Sequence, residues 1–187
     1  GIYDLPVQEL ADDNCALFLW VSTPNLPACL KVFDKWGFTY KTKAFSWVKR
    51  KPSNATLYGI VDRHKAGELT EDQMIDLIAT NAFKMNLGHY TRAGTEDCYL
   101  GVKGSLSRIN ADVRQVTVEY EDEMVPAPQM RHSEKPYIFH QKIERLFGDV
   151  PRIELFAREQ REGWTCLGNE IDGLSIREAI RRLVDEN

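Results

Sequence analysis

Residues 16 to 21, "ALFLWV", are an unbroken apolar run held between the acidic "ADDN" and the turn-forming "STPN". Six apolar residues in succession leave no polar face, which suits an interior parallel strand covered on both sides. Such a strand requires a crossover, and the next residues supply one. Thr23 and Pro24 mark a helix start, and Leu26, Leu30 and Val32 or Phe33 make a helical stripe that ends at Trp36 and Gly37, a residue suited to a left-handed cap. "FTYKTKAFSWVKR", residues 38 to 50, then alternates and is rich in β-branched and aromatic types, the signature of a second strand.

The same rhythm continues. Asn54 and Gly59 loosen the long connection from 51 to 87, in which Thr70 and Gln73 form a capping box ahead of Met74, Ile75, Leu77, Ile78 and Phe83, predicting one helix over about 71 to 82. Strands are expected at 96 to 104 and 112 to 119. A proline-containing loop leads to Pro136 in the first turn of a helix carrying Ile138, Phe139, Ile143, Leu146 and Phe147. "RIELFAR" (152 to 158) and "TCLGNEI" (165 to 171) read as two further strands, and residues 175 to 187 as an amphipathic helix. Alternating strands and helices give an α/β class with a mostly parallel central sheet and helices on both faces, and 187 residues suffice for a single domain.

A net charge of −4 provides no general basic field, so contact with nucleic acid would rest on a local patch. Cys15, Cys29, Cys98 and Cys166 have neither CxxC nor CxxH spacing; buried free thiols are expected, with no metal, in a reducing, cytoplasmic compartment. No apolar run reaches the ~18 residues of a membrane span.

In open parallel sheets, ligands bind beside the carboxyl ends of the strands. Glu154, Phe156 and Arg158 fall at one such end and Asn169 and Glu170 at the next. A carboxylate there can accept from a ribose diol, while an arginine or amide fixes other polar atoms; a plain surface pair between Glu154 and Arg158 is the alternative. His132, Ser133 and Lys135 precede a helix N-terminus, where a carboxylate or phosphate is favoured, although lysines at such places are commonly just solvated. Tyr90 and Arg92 lie on a glycine-bearing loop ahead of Glu96 and could stack on a base and hold phosphate. Trp47 with Lys49 and Arg50 reads either as a solvated strand end or as a nucleic-acid contact. GxSxG, HExxH, P-loop and GxGxxG motifs do not occur, which leaves hydrolase, zinc-protease and kinase readings without support.

"LPVQELADDNCALFLWVS", "WGF", "WVKR", "TEDCYLGVKG", "HSEKP", "IERLF", "IELFAR" and "GWTCLGNEIDG" follow one another in an order that resembles the adenine methyltransferase family containing the eukaryotic messenger-RNA adenine methyltransferase and many bacterial and phage DNA methyltransferases. The likeness covers nearly all of residues 3 to 173 except 51 to 87, and the wording of "HSEKP", "ELFAR" and "GW" followed by "GNE" is closer to the prokaryotic and phage members. It implies a Rossmann-like fold with permuted motif order and transfer of a methyl group from S-adenosyl-L-methionine to the exocyclic amine of adenine, in DNA rather than RNA. By motif, Lys135 and Ser133 would meet the methionyl end of the cofactor or the target base. Phe156, Arg158, Gln160 and Arg161 would line the ribose pocket together with Glu154, and Asn169 and Glu170 would hold the cofactor's polar atoms. Glu96 would face the acceptor adenine; Trp47, Tyr90, Arg92 and His132, read above from their residue types, are expected on the same substrate side. The family's Asp-Pro-Pro-Trp signature, which holds the acceptor amine, occurs nowhere in the chain and is expected upstream of Gly1, so no catalytic residue is assigned within these residues. A non-catalytic nucleic-acid-binding or scaffolding subunit of the same fold, pairing with a related chain as a homo- or heterodimer, is the alternative. The 51 to 87 insertion is the candidate for reading target sequence.

Overall fold

The computed structural model describes residues 1–51, 54–120 and 135–186. Among the described residues are six strands, β1 (Cys15–Val21), β2 (Thr39–Arg50), β3 (Thr95–Lys103), β4 (Val116–Tyr120), β5 (Ile153–Leu155) and β6 (Thr165–Leu167), interspersed with six α-helices. The helices are α1 (Leu26–Lys35), α2 (Ala55–Lys65), α3 (Glu71–Asn81), α4 (Ile138–Phe147), α5 (Asn169–Asp172) and α6 (Ile176–Asp185). The first four strands form one sheet in the order β1-β3-β2-β4, and β5 and β6 form a second. β2 and β4 pair in parallel from Ser46↔Val116 to Arg50↔Tyr120, and β5 and β6 in parallel from Ile153↔Thr165 to Leu155↔Leu167. The α/β class and its parallel pairing are therefore as the alternation of patterns implies. No helix among the described residues is long and apolar enough to cross a membrane.

The chain divides into two compact units, Gly1–Ala44 with Cys98–Val113 and Ile138–Asn187, and Phe45–Asp97 with Arg114–Tyr137. The first holds a core of Leu5, Val7, Cys29, Val32, Phe33, Trp36, Phe38, Leu167, Ala179 and Ile180. Cys15, Leu17, Leu19 and Val21 of β1 pack against this core. The alternate residues Phe18 and Trp20 turn the other way, meeting Phe147 and Phe139 of α4 edge-on at 6.1 and 4.7 Å. Helices thus cover both faces of β1, which is why its sequence has no polar side. Its place is nevertheless at the end of the four-strand order, not in the interior, and all seven of its residues are half-buried. Cys29, Cys98 and Cys166 are buried free thiols and Cys15 a half-buried one, in accord with their apolar surroundings.

Four further expectations need correction. The connection from 51 to 87 contains two helices, not one: α2 precedes the α3 foretold by the capping box, in which Thr70 Oγ1 accepts from the Gln73 backbone and Gln73 Oε1 from that of Thr70. α2 escapes a periodicity search because Gly59 interrupts it and Ile60 is its one fully buried residue, so contact with α3 supplies what its own pattern lacks. The strand expected from 112 begins only at Val116, since Asp112 is drawn into an ion pair with Arg145. "RIELFAR" stays extended only to Leu155, because Phe156 adopts a left-handed backbone with φ of 62°. "TCLGNEI" likewise stops at Leu167, and Asn169 and Glu170 open the short helix α5 instead of ending a strand.

Ile180, wholly buried in the first core, contrasts with Thr70, an exposed cap in the second unit. Denaturant titration should give a loss of about 2–5 kcal/mol for Ile180→Ala and about 0.5–2 kcal/mol for Thr70→Ala.

Candidate functional site

The candidate residues gather into one cluster in each unit. In the first, parallel pairing sets Glu154 opposite Cys166, and Ile153 and Leu155 on either side of Glu154 pack toward the core, so the glutamate alone leaves that face. Its Oε2 lies 3.0 Å from Nε2 of the buried His140 on α4 and 3.6 Å from Nε of Arg161. Burial acts to raise the pKa of Glu154, but the hydrogen bond and charge of His140, then those of Arg161, outweigh it and hold the carboxyl below its ordinary range. His140 also stands edge-on to Trp164, whose Nε1 donates to Glu144 Oε1 at 2.8 Å, so α4 and the segment between β5 and β6 are joined at two points.

Beyond β5 the chain makes a forced turn. The Ala157 amide donates to the Leu167 carbonyl at 2.9 Å. A Cβ at Gly168 would fall 2.2 Å from the Ala157 carbonyl oxygen, so only glycine lets the two strand ends come this close. The turn leaves the Phe156 ring 53% exposed between two buried or half-buried neighbours. Arg158 and Glu170 face each other across the same tip at 3.5 Å, Asn169 is exposed at the first turn of α5, and Gln160 is exposed on the segment after β5. Glu154 is thus paired with His140 and Arg161, and the expected surface pair between Glu154 and Arg158 is replaced by one between Arg158 and Glu170.

The second cluster is built on the end of β2. Phe45, Trp47 and Lys49 share one side of that strand by its two-residue period, and Trp47 and Lys49 are 1% and 6% exposed. The reading of "WVKRK" as a solvated strand end is therefore wrong: the lysine stem lies along buried aromatic surface and its ammonium is compensated inside. Lys49 Nζ stands 4.7 Å above the Trp47 ring and 2.6 Å from Glu96 Oε1. Lys135 Nζ approaches the other oxygen, Oε2, at 2.6 Å and lies 5.9 Å from the same ring. Trp47 Nε1 donates to the Glu119 carbonyl at 3.1 Å, fixing the ring beneath both cations. Burial would raise the Glu96 pKa, and the hydrogen bonds and charges of Lys135 and Lys49 more than offset it. A carboxylate so held is a firm hydrogen-bond acceptor and a weak base at neutral pH.

Lys135, Glu96 and Trp47, expected on the cofactor side and the substrate side, are thereby brought together in one contact set. Tyr90 and Arg92 are not part of this contact set: both are exposed on the turn closed by Asn86 and Ala93, and neither makes a hydrogen bond or ion pair among the described residues. His132 and Ser133 lie outside the described residues. His140 and Lys49 were absent from the sequence-based site. For Lys49 the strand alternation was a usable signal; for His140, one polar residue on an apolar helix, there was none. No group of three or more metal-ligating side chains occurs among the described residues.

The MT-A70 family model matches this chain over residues 1–77 and 72–170. The Type II methyltransferase M.MunI of Mycoplasma sp is 29% identical over 188 residues, which take in 100% of this chain and 63% of that protein. The N(6)-adenosine-methyltransferase catalytic subunit METTL3 of Homo sapiens is 26% identical over 174 residues, 92% of this chain and 24% of that protein. The N(6)-adenosine-methyltransferase MT-A70-like protein of Drosophila melanogaster is 27% identical over 177 residues, 92% of this chain and 23% of that protein. The chain thus spans less than two thirds of the first of these relatives and about a quarter of the other two.

Glu96 and Glu154 both have folded pKa values below the 4.5 of an unperturbed glutamate. Each therefore contributes stability that is present above about pH 4.5 and is lost as the pH falls through the lower, folded value. Thermal melts should show a steep loss below pH 4.5, and Glu96→Gln together with Glu154→Gln should flatten that acid limb.

Proposed function

The chain belongs to the MT-A70 family, and from that premise we propose that it serves S-adenosyl-L-methionine-dependent transfer of a methyl group to the exocyclic amine of adenine in DNA. The clasped Glu96, with Lys135 on one oxygen and Trp47 beneath, carries this reading, because it joins two residues that the family's motifs assign to substrate and cofactor with an aromatic ring suited to a base. DNA is preferred to RNA because "HSEKP", "ELFAR" and "GNE" resemble the prokaryotic and phage members.

The tip of β5 and β6 fits a nucleoside. Phe156 presents an aromatic face, Glu154 and Glu170 offer acceptors for hydroxyl donors, and Arg158 and Asn169 offer donors for ring and sugar acceptors. Non-glycine residues rarely take a left-handed backbone, and where they do the strain is found disproportionately at binding sites. Phe156, Arg158, Gln160 and Arg161 would surround the ribose, and Asn169 and Glu170 the remaining polar atoms. When bound, S-adenosyl-L-methionine supplies both the activated methyl group and the leaving group.

The second cluster is assigned to the acceptor. Glu96, kept ionised by its two lysines, can accept from an exocyclic amine and orient it, which suits a displacement that needs alignment more than proton abstraction. Alignment of this kind can lower a barrier by roughly 7–11 kcal/mol. Lys135, with Ser133, would meet the methionyl end or the target base, and Trp47, Tyr90, Arg92 and His132 would lie on the substrate side. An adenine inside a duplex would first have to be extruded, at a cost of about a few kcal/mol. The α2–α3 pair, through the 51 to 87 segment, is assigned to target-sequence reading. Exchanging that segment with one from another member should change the methylated sequence.

The test measures tritium transfer from methyl-labelled cofactor to adenine-containing DNA and RNA, beside calorimetric binding of the cofactor. Asn169→Ala and Lys135→Ala should each weaken cofactor binding about tenfold or more, as expected when buried ligand groups worth ~1–3 kcal/mol are left unpaired. Unchanged dissociation constants for both would remove the site assignment. Cofactor binding by the full-length protein without transfer to any nucleic acid would instead support the non-catalytic subunit.

A further inference from the structure

Among the described residues Lys49 is the one lysine or arginine in the buried class, yet nothing so far gives it a task. Its backbone is fixed on both sides: the amide donates to the Gly94 carbonyl at 2.9 Å and the carbonyl accepts from the Lys84 amide at 2.8 Å. Its stem crosses the buried Trp47 and its ammonium ends on Glu96 Oε1. Lys135 reaches Oε2 of the same carboxylate from a more open position, its side chain 17% exposed against 8% for Lys49. Asp97, next to Glu96 on β3, accepts from Ser46 Oγ at 2.6 Å, and Glu119 on β4 presents its backbone carbonyl to Trp47.

One carboxylate therefore has two cations, and the two are held unequally. A partly buried carboxylate stripped of all positive charge is strongly destabilised, whereas one of two cations can depart and leave the remaining pair satisfied. We propose that Lys49 is a positioning residue: by holding Glu96 through Oε1, it lets Lys135 and Glu96 Oε2 part from each other and turn to an incoming ligand that offers an acceptor beside an amine donor. This role rests on the assignment of Glu96 and Lys135 to ligand contact. Without Lys49, the pair between Lys135 and Glu96 would be the sole compensation, and a ligand would have to break it. Replacing Lys49 by an uncharged residue should tighten the remaining pair and close the site to the ligand while leaving the fold in place.

The experiment compares Lys49→Met, Lys49→Gln and Lys49→Arg, each alone and with Glu96→Gln. The first measurement, made without ligand, is the titration of the Glu96 side-chain carboxyl by carbon-detected NMR. Loss of one of two cations should raise its midpoint by about one unit or more in the Met and Gln variants, with the Arg variant close to the unaltered protein. The second is the affinity for S-adenosyl-L-methionine and for an adenine-containing single-stranded DNA probe. Lys49→Met should weaken one or both about tenfold, Lys49→Arg should restore most of the loss, and Lys49→Met should add nothing once Glu96 is glutamine. Two results overturn the proposal: an unmoved Glu96 titration in both uncharged variants, or equal losses of affinity with and without the Glu96 carboxylate. If the unaltered protein binds neither probe, the methyltransferase reading fails, and the ligand-free titration still decides whether Lys49 governs Glu96.

Discussion

A carboxylate drawn away from water must be met by positive charge or by hydrogen-bond donors, and Glu154 in one unit and Glu96 in the other are each met by two cationic side chains. Glu154 is answered by His140 and Arg161, Glu96 by Lys49 and Lys135. The two solutions differ in use. The Glu154 group ties helix α4 to the segment after β5 and so holds the strand tip in shape. The Glu96 group sets one lysine on each oxygen of its carboxylate, the more exposed of them on Oε2. Hydrophobic packing sets the frame, and the placement of the side chains in the two clusters follows from how these two half-buried negative charges are balanced.

The frame was largely legible because burial leaves a direct mark on sequence. β1 is apolar on both sides since the core and α4 each take one face, and α3 announces itself through Thr70 and Gln73. What was hidden was of another kind. α2 carries one buried residue and a mid-helix glycine, so its stability comes from a neighbour that no local window contains. The ends of β5 and β6 were misplaced because nothing in "ELFAR" reveals that Phe156 will leave the extended region, a choice made by the close approach of Gly168.

The site shows the same division. Lys135 and Glu96 were picked out through motif order and Trp47 through its place in a basic run, and the three share one contact set. Their partner Lys49 sits in a basic run whose composition points outward while its period points inward, and period was the better guide. His140 could not have been found: its partner is 14 residues away on a strand, and an isolated histidine on an apolar helix face has no pattern to betray it. Motifs identify residues that meet ligands, whereas the residues that hold those residues are chosen by local packing and differ from one scaffold to another.

The twist at Phe156 has an evolutionary side. An unfavourable backbone of this sort costs on the order of 1–3 kcal/mol, and glycine would relieve it at once. On grounds of durability alone, drift at this site would run toward the smaller residue. In the ribose-pocket role proposed for it, a bulky ring there sets fitness against robustness, so a laboratory selection for heat resistance with activity unmonitored would be drawn to this codon early, and the survivors would be sturdier proteins with a blunted tip.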